Sequence, residues 1–541
     1  MAVAAVREPD LVFAVHDDEL RLLPLLRDPS DPRWTAAGAE VEVRADGDGA
    51  ARIHVSGAGR ALSRVVLRWR RAVSSATLVL GDAWERSYGD LQWRHLEPER
   101  LLPWYWLGHD PEAGTTVGMG VAVRAGALCS WTVDSDGVSL WLDVRNGGGG
   151  VDLGARVLDA ATVHAVEAGR ETSPWEAATE LCGQLCHDPV PSEGPVVGSN
   201  NWYYAYGQNF DNAAVLRDAE TIVELADGHA VRPYSVIDAG WTEGGSAPGG
   251  PWDVGLPGVF DDMAGTASQI KKRGARPGLW FRPLLSRVQD GRARGGPPVG
   301  GGWALDPTLD ETLESISADI RRFVEWGYEL IKHDFSTFDL FGRFGPRMGS
   351  EITTDGWHLA RRDVTNAEAV VGFYRTIKAA AADAARIISC NVIGHLAAGL
   401  TDIQRTGDDT SGRQWERTRR MGVNTLAFRL PQHRRFFTLD ADCVPCTTRT
   451  DWDLNRRFLD VVARSGTALF VSVDPAARTP SIDADLRRGV QLALDGGDPG
   501  GIEPLDWLRT TAPQSWRSER GVSRYDWGEP WGALPYPAER L

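Results

Sequence analysis

From Val196 onward the chain alternates between short β-branched or aromatic runs and longer stretches whose apolar residues recur every three or four positions. Such alternation feeds parallel strands through helical crossovers, which restricts this part of the chain to an α/β architecture. The strand-like runs are "VVGSNNWYY", "PYSVIDAGW", "RPGLWFRPLL", "YELIKHDF", "ARIISCNV", "TDIQRTGDD", "RFFTLDADCV" and "ALFVSVDP". Seven of these eight lead into a helical pattern such as "DETLESISADIRRFVEWG", while the connection after the fifth, "IGHLAAGL", is abbreviated. Eight successive βα units predict a (β/α)8 barrel over residues 191–497 in preference to an open doubly wound sheet.

Residues 1–190 read differently. Short runs such as "EVEVRADGDGAARIHVSG", "LSRVVLRWRRAV" and "VSLWLDVRNGGGG" are separated by Gly, Asp and Pro, which predicts an antiparallel β-sandwich. "ETSPWEAATELCGQLC" reads as a helix leading away from it and "HDPVPSEGP" as a linker. Residues 498–541, rich in Trp and Pro, are expected to form a short β-rich extension.

A formal charge of −16 disfavours nucleic acid and anionic membranes as partners. No apolar run approaches the roughly 20 residues of a membrane span, and "MAVAAVREPDLVFAVHDDE" lacks the basic start of a secretory signal, so a cytoplasmic location is expected. Six cysteines in 541 residues do not make a disulfide framework. "CGQLC" and "CVPC" lie too far apart in the chain to suggest a zinc site, so free buried thiols, no metal and no cofactor are expected. The 22 Trp residues lean toward carbohydrate, whose apolar faces stack on aromatic rings, although Trp also fills cores.

In such a barrel the active site lies at the C-terminal strand ends. Read in order, those ends carry Asn201 and Trp202, Asp238 and Trp241, Trp280 and Arg282, and Lys332 and Asp334. Cys390 and Asn391, then Arg405, Asp408 and Asp409, then Asp440 and Asp442, and finally Asp474 complete the ring. Carboxylates and aromatics around one mouth suit a polyhydroxylated substrate, which makes Trp202, Asp238, Trp241, Trp280, Arg282, Lys332, Cys390, Asn391 and Arg405 candidate contacts. Asp334 and the Asp408/Asp409 pair end the fourth and sixth strands, where two carboxylates could flank a glycosidic bond. Lys332 shares a side of its strand with Asp334 and is placed to keep it ionised, while His333 turns away.

The ordered motifs resemble the clan of the glycoside hydrolase family 36 and family 27 α-galactosidases, more closely family 36. "NNWYYAYG", "VIDAGWTEGG", "PWDVGLPGVFDDMAGTASQIKKRGARPGLWFRP", "IKHDF", "SCNV", "RTGDDTS" and, earlier, "LGDAWERSYGDLQWR" carry the likeness. The resemblance implies a β-supersandwich before the barrel, a retaining hydrolase with Asp334 as nucleophile, and frequent homo-oligomers. It implies Asp408 as acid/base, with Asp409 the alternative if Arg405 marks the acid four residues on. It further implies sugar contacts from Trp202, Asp238 and Lys332, with Cys390 near the 2-position. The chain departs from the family at Ala239, where a second Asp would hold galactose O4 and O6, and at Arg282, where Glu is usual. Related sugars (a β-L-arabinopyranoside or an α-N-acetylgalactosaminide) and raffinose-synthase-like transglycosylation are therefore the alternatives to α-galactoside hydrolysis.

Overall fold

The computed structural model describes residues 2–528, apart from 4, 18, 29, 37, 48, 58, 246–248, 350, 351, 354 and 355. Eight parallel strands close into a barrel: Val197–Asn200, Tyr234–Ile237, Arg276–Phe281, Leu330–His333, Arg386–Ser389, Ile403–Arg405, Thr438–Cys446 and Ala468–Val473. The last pairs with the first through Gly198 and Phe470, so no strand edge is left open. Tyr234, Val236, Leu330, Ile388, Ile403, Cys443 and Phe470 fill the interior as a separate apolar cluster. The barrel is thus a packed core whose chemistry can only sit at its ends.

Helices Asn212–Leu225, Met263–Lys272, Asp310–Glu325, Asn366–Ala381, Trp452–Ser465 and Pro480–Leu494 surround the strands. Their starts carry the expected caps: Asp211 accepts from the Ala214 amide, and Thr365 with Glu368 forms a reciprocal capping box. The abbreviated connection after the fifth strand holds one short helix, Gly394–Ala397. After the sixth strand the helix Trp415–Thr418 runs through a π-helical stretch, Arg419–Asn424, into Thr425–Arg429. The first strand stops at Asn200 instead of reaching Tyr204, because the Asn200 side chain accepts from the Trp202 amide at 2.9 Å and starts the short helix Trp202–Ala205.

The N-terminal region forms two antiparallel sheets, one of nine strands and one of six. Strand Ala51–Gly57 shows the alternating burial that a sheet with one covered face requires. Helix Pro174–Leu185 does not lead away from this sandwich. It buries Ala177, Ala178, Leu181 and Leu185 and packs on strands Thr115–Val121 and Val157–Ala168. Beyond the barrel, Glu503–Pro504, Ser515–Ser518 and Gly521–Arg524 make a small antiparallel sheet, while the rest of the predicted extension, 529–541, lies outside the described residues. No helix among the described residues is long and apolar enough to cross a membrane.

The sandwich reaches into the mouth of the barrel. After strand Leu78–Gly81 the chain lays Ser87 alongside Gly407 at the end of the sixth barrel strand: Ser87 N–H donates to Thr406 O at 3.0 Å, and Asp408 N–H to Ser87 O at 2.9 Å. Gly407 is also crowded by the following helical segment, because a Cβ there would sit 2.3 Å from the Met421 carbonyl oxygen. Arg429 clamps the same loop through Asp82, 2.8 Å away.

Candidate active site

Asp334 follows the fourth strand and is partly exposed, although the residues before it are buried. Its Oδ1 accepts from the Phe335 amide (2.7 Å) and the Asn391 amide (3.1 Å), and its Oδ2 from Trp280 Nε1 (3.2 Å). Phe335 takes the left-handed conformation at φ 60°, which costs a non-glycine residue on the order of 1 kcal/mol and turns its N–H onto the carboxylate. Two donors thus fix Oδ1, and Oδ2 is the less encumbered oxygen.

Lys332 does not serve Asp334 as expected. Its Nζ lies 2.6 Å from Asp238 Oδ2, both groups being buried, and Asn200 Nδ2 donates to the same oxygen at 2.6 Å. Burial would push the ammonium pKa down, but the Asp238 carboxylate outweighs it and holds it well above its ordinary value. His333 turns away, its Nε2 2.7 Å from Ser389 Oγ, and burial lowers its pKa to about 4, so it is neutral.

Across the mouth, Asp408 and Asp409 diverge. Asp408 is gripped on both oxygens, by Arg86 at 2.8 Å and Arg417 at 2.6 Å, and its side chain is 13% exposed. Asp409 is 35% exposed; its Oδ1 meets Arg405 at 3.2 Å and Arg86 at 3.8 Å, and its Oδ2 has no partner among the described residues. Burial favours the neutral acid, but Arg405, Arg86 and Lys332 outweigh it and hold the Asp409 carboxyl below its usual range. Arg405 is itself fixed by Asp442 at 2.8 Å, which also accepts from Tyr203 Oη and from the Thr410 amide.

The sequence reading did not single out the residues that complete this wall. Arg86, from the sandwich loop, meets Asp408 at 2.8 Å and Asp409 at 3.8 Å, and Asp408, Tyr88, Asp334 and Asp409 together hold it charged against burial. Its neighbour Glu85 is buried and accepts from Tyr88 Oη (2.5 Å), the Gly345 amide (3.1 Å) and Asn391 Nδ2 (2.6 Å). Burial pushes the Glu85 carboxyl up to about 7. The sequence signals were the motif likeness of "LGDAWERSYGDLQWR" and the charged pair inside it, and nothing local to it says which domain it meets.

Other expected contacts are placed elsewhere. Trp241 is fully buried among Trp252, Phe323 and Trp326, its Nε1 donating to the Trp280 carbonyl at 2.8 Å, so it supports the site from the core. Arg282 is buried, forked onto Asp339 (2.6 Å), and lies 4.2 Å over the Phe335 ring. It neutralises a buried acid and does not stand in for the carboxylate missing at Ala239. Cys390 and Arg405 are also buried, 3.6 Å apart. All six cysteines are free and buried, and most of the large Trp side chains fill cores, while Trp202 borders the cavity. That cavity, about 550 Å³, is lined by Asp408, Asp409, Trp202, Tyr206, Tyr88, Phe344 and several arginines.

Beneath the site, burial pushes the Asp440 carboxyl up to about 7 against the pull of Arg405. The folded chain therefore keeps a proton there that the unfolded chain loses near pH 4. The stability this contributes is full below pH 4 and disappears as pH rises to 7. Asp440→Asn, neutral at every pH, is expected to flatten this loss, an effect of up to about 4 kcal/mol. Thermal midpoints of both proteins at pH 5 and 7.5 check it; parallel shifts would show that Asp440 does not titrate in this way.

The chain superposes on solved α-galactosidases over most of its length. The enzyme of Thermus thermophilus, in complex with p-nitrophenyl α-D-galactopyranoside, is 19% identical with a TM-score of 0.62, covering 91% of this chain and 98% of that one. The GH36 α-galactosidase of Geobacillus stearothermophilus, in complex with 1-deoxygalactonojirimycin, is 12% identical with a TM-score of 0.54, covering 91% and 74%. This is the fold of the GH36 α-galactosidases. The α-galactosidase of Lactobacillus brevis shares it at 15% identity, with a TM-score of 0.57 over 91% of this chain and 74% of that one. No protein-family model and no curated sequence matches the chain.

Proposed function

We propose that the protein is a retaining glycoside hydrolase of the α-galactosidase type, with a sandwich domain at 1–190, a catalytic barrel at 191–497 and a β-rich C-terminal segment. The observation that carries this reading is Asp334. It is a carboxylate oriented by three N–H donors at the end of the fourth strand, sharing Arg86 with a second carboxylate pair on the sixth. The fold likeness to α-galactosidases, one of them holding a nitrophenyl galactoside, supports it.

In this mechanism Asp334 Oδ2 attacks the anomeric carbon as the glycosidic C–O bond breaks, and the departing oxygen takes a proton from the acid. Water then gives its proton to the same residue while its oxygen attacks the anomeric carbon and frees Asp334. For the acid/base the geometry favours Asp409 over the sequence-preferred Asp408, whose two oxygens are already held by arginines, whereas Asp409 keeps one oxygen open. Because Asp409 is held below the usual carboxylate range, its proton is scarce at neutral pH, and the rate should climb toward acidic pH. Azide is expected to rescue Asp409→Gly; rescue of Asp408→Gly alone would return the role to Asp408.

Asp238 is occupied by Lys332 and Asn200, and Ala239 adds no second carboxylate, so a sugar without a C6 hydroxyl fits as well as galactose. Nitrophenyl α-galactoside, β-L-arabinopyranoside, α-N-acetylgalactosaminide and α-glucoside compared side by side decide the sugar. The first two are expected to be cleaved fastest, with the first-formed sugar retaining its anomeric configuration by NMR. Failure to turn over any of the four, or release of the inverted anomer, would sink the proposal.

A further inference from the structure

The cavity at the mouth is bordered by Asp408 and Asp409, but not by Asp334, Lys332 or Asp238. On the reading above, the retained sugar sits over those last three, and the general acid stands beside the leaving oxygen. The cavity outward of Asp409 is therefore the space for the leaving group. Its charge is unusual for this chain, which has 74 acidic against 58 basic residues. Arg347, Arg413, Arg417 and Arg420 line it, and among the described residues the only acid lining it beyond the two catalytic-wall aspartates is Asp90.

These arginines are not all consumed by structure. Arg417 pairs with Asp408, and Arg420 donates to the Tyr88 carbonyl at 3.3 Å. Arg347 and Arg413 are exposed, and among the described residues neither meets a carboxylate. The Arg413 guanidinium carbon lies 4.1 Å from the centre of the Tyr206 ring, a cation–π contact at the wall of the cavity. A cationic, concave wall in an acidic protein concentrates anions where field lines converge. An arginine fork matches the oxygens of carboxylates, sulfates and phosphates.

We propose that the leaving-group side of this site takes an anionic group, a carboxylate or a sulfate or phosphate ester, held by Arg347 and Arg413. This rests on the glycosidase reading for which side of the cavity is which. The substrate class is then an acidic glycoside or a sulfated or uronate-bearing oligosaccharide, not a neutral one.

The test compares the preferred glycoside carrying a 4-carboxyphenyl or 4-sulfonatophenyl leaving group with its neutral 4-carbamoylphenyl counterpart. At low ionic strength kcat/KM for the charged forms is expected to be roughly tenfold or more higher, a charge-assisted bond's worth. The ratio should fall toward one in 0.5 M NaCl, as screening requires, and in Arg347→Gln/Arg413→Gln. A preference for one charged form identifies carboxylate or sulfur oxyanion as the natural group. Equal rates for charged and neutral forms would overturn the proposal and leave the glycosidase reading standing, the arginines then serving sugar hydroxyls. If no glycoside is cleaved, that reading falls instead, and calorimetric titration of the intact protein with the same compounds decides this one. Charge-selective heat lost in the double variant keeps it, and absent or unselective heat overturns it.

Discussion

Asp334→Asn is expected to lower kcat/KM by roughly 10⁴- to 10⁶-fold, the loss seen when a catalytic nucleophile is removed from an enzyme whose other groups stay in place. The amide keeps an oxygen for the Phe335 and Asn391 N–H groups, so folding should be little affected. What it loses is the charge at Oδ2, which among the described residues accepts only from the Trp280 indole and is the atom that would bond to the sugar. Trapping with a 2-deoxy-2-fluoroglycosyl fluoride separates chemistry from misfolding. The parent protein should gain the mass of one sugar on the peptide containing Asp334, and the variant should gain none while keeping its thermal midpoint. Full activity in Asp334→Asn, or label on another residue, would remove Asp334 from the mechanism.

Arg86→Met should have the second-largest effect, and on two quantities at once. Two carboxylates meet this one buried guanidinium, and stripping the cation from a buried pair typically costs 3–5 kcal/mol because the anions stay behind. A large drop in the urea midpoint is therefore expected. Arg86 also helps hold the Asp409 carboxyl down, so its removal raises that pKa and moves the acidic rise in rate toward neutral pH. A purely structural residue would lower stability without moving the profile. Arg86→Lys restores charge without the fork, and should recover the pH profile more fully than the stability. An unmoved profile in Arg86→Met would show that this residue only props the wall.

Much of this site was legible in the chain because local periodicity carries it. The eight strands and the polar residues at their ends follow from alternation alone, whereas the fourth strand ends at His333, so the i, i+2 spacing did not tie Lys332 to Asp334. Partners are a different matter. Lys332 turned to Asp238, two strands away in the barrel wall, and Arg282 turned to Asp339. Both choices depend on which buried acid lies within reach after folding, and no spacing encodes that. The Trp count was a poor guide to sugar for the same reason: Trp241 and Trp202 are alike in sequence, yet one fills the core and the other borders the cavity. The Asp408/Asp409 choice could not be read from adjacency, because it turns on two arginines, Arg86 and Arg417, the first more than 300 positions upstream.

The short pairing of Ser87 with Gly407 has a bearing on how the molecule is made. The segment that supplies Glu85 and Arg86 is synthesised first, long before the barrel strand it must lie beside. Until the sixth strand emerges, Arg86 lacks its Asp408 and Asp409 partners; until the loop docks, that adjacent pair of carboxylates lacks the Arg86 guanidinium. Catalytic competence thus arrives late, as a joint property of the first and second halves of the chain. A barrel expressed alone should fold poorly at this corner, and supplying the missing half in trans would be measured most sensitively by the return of turnover.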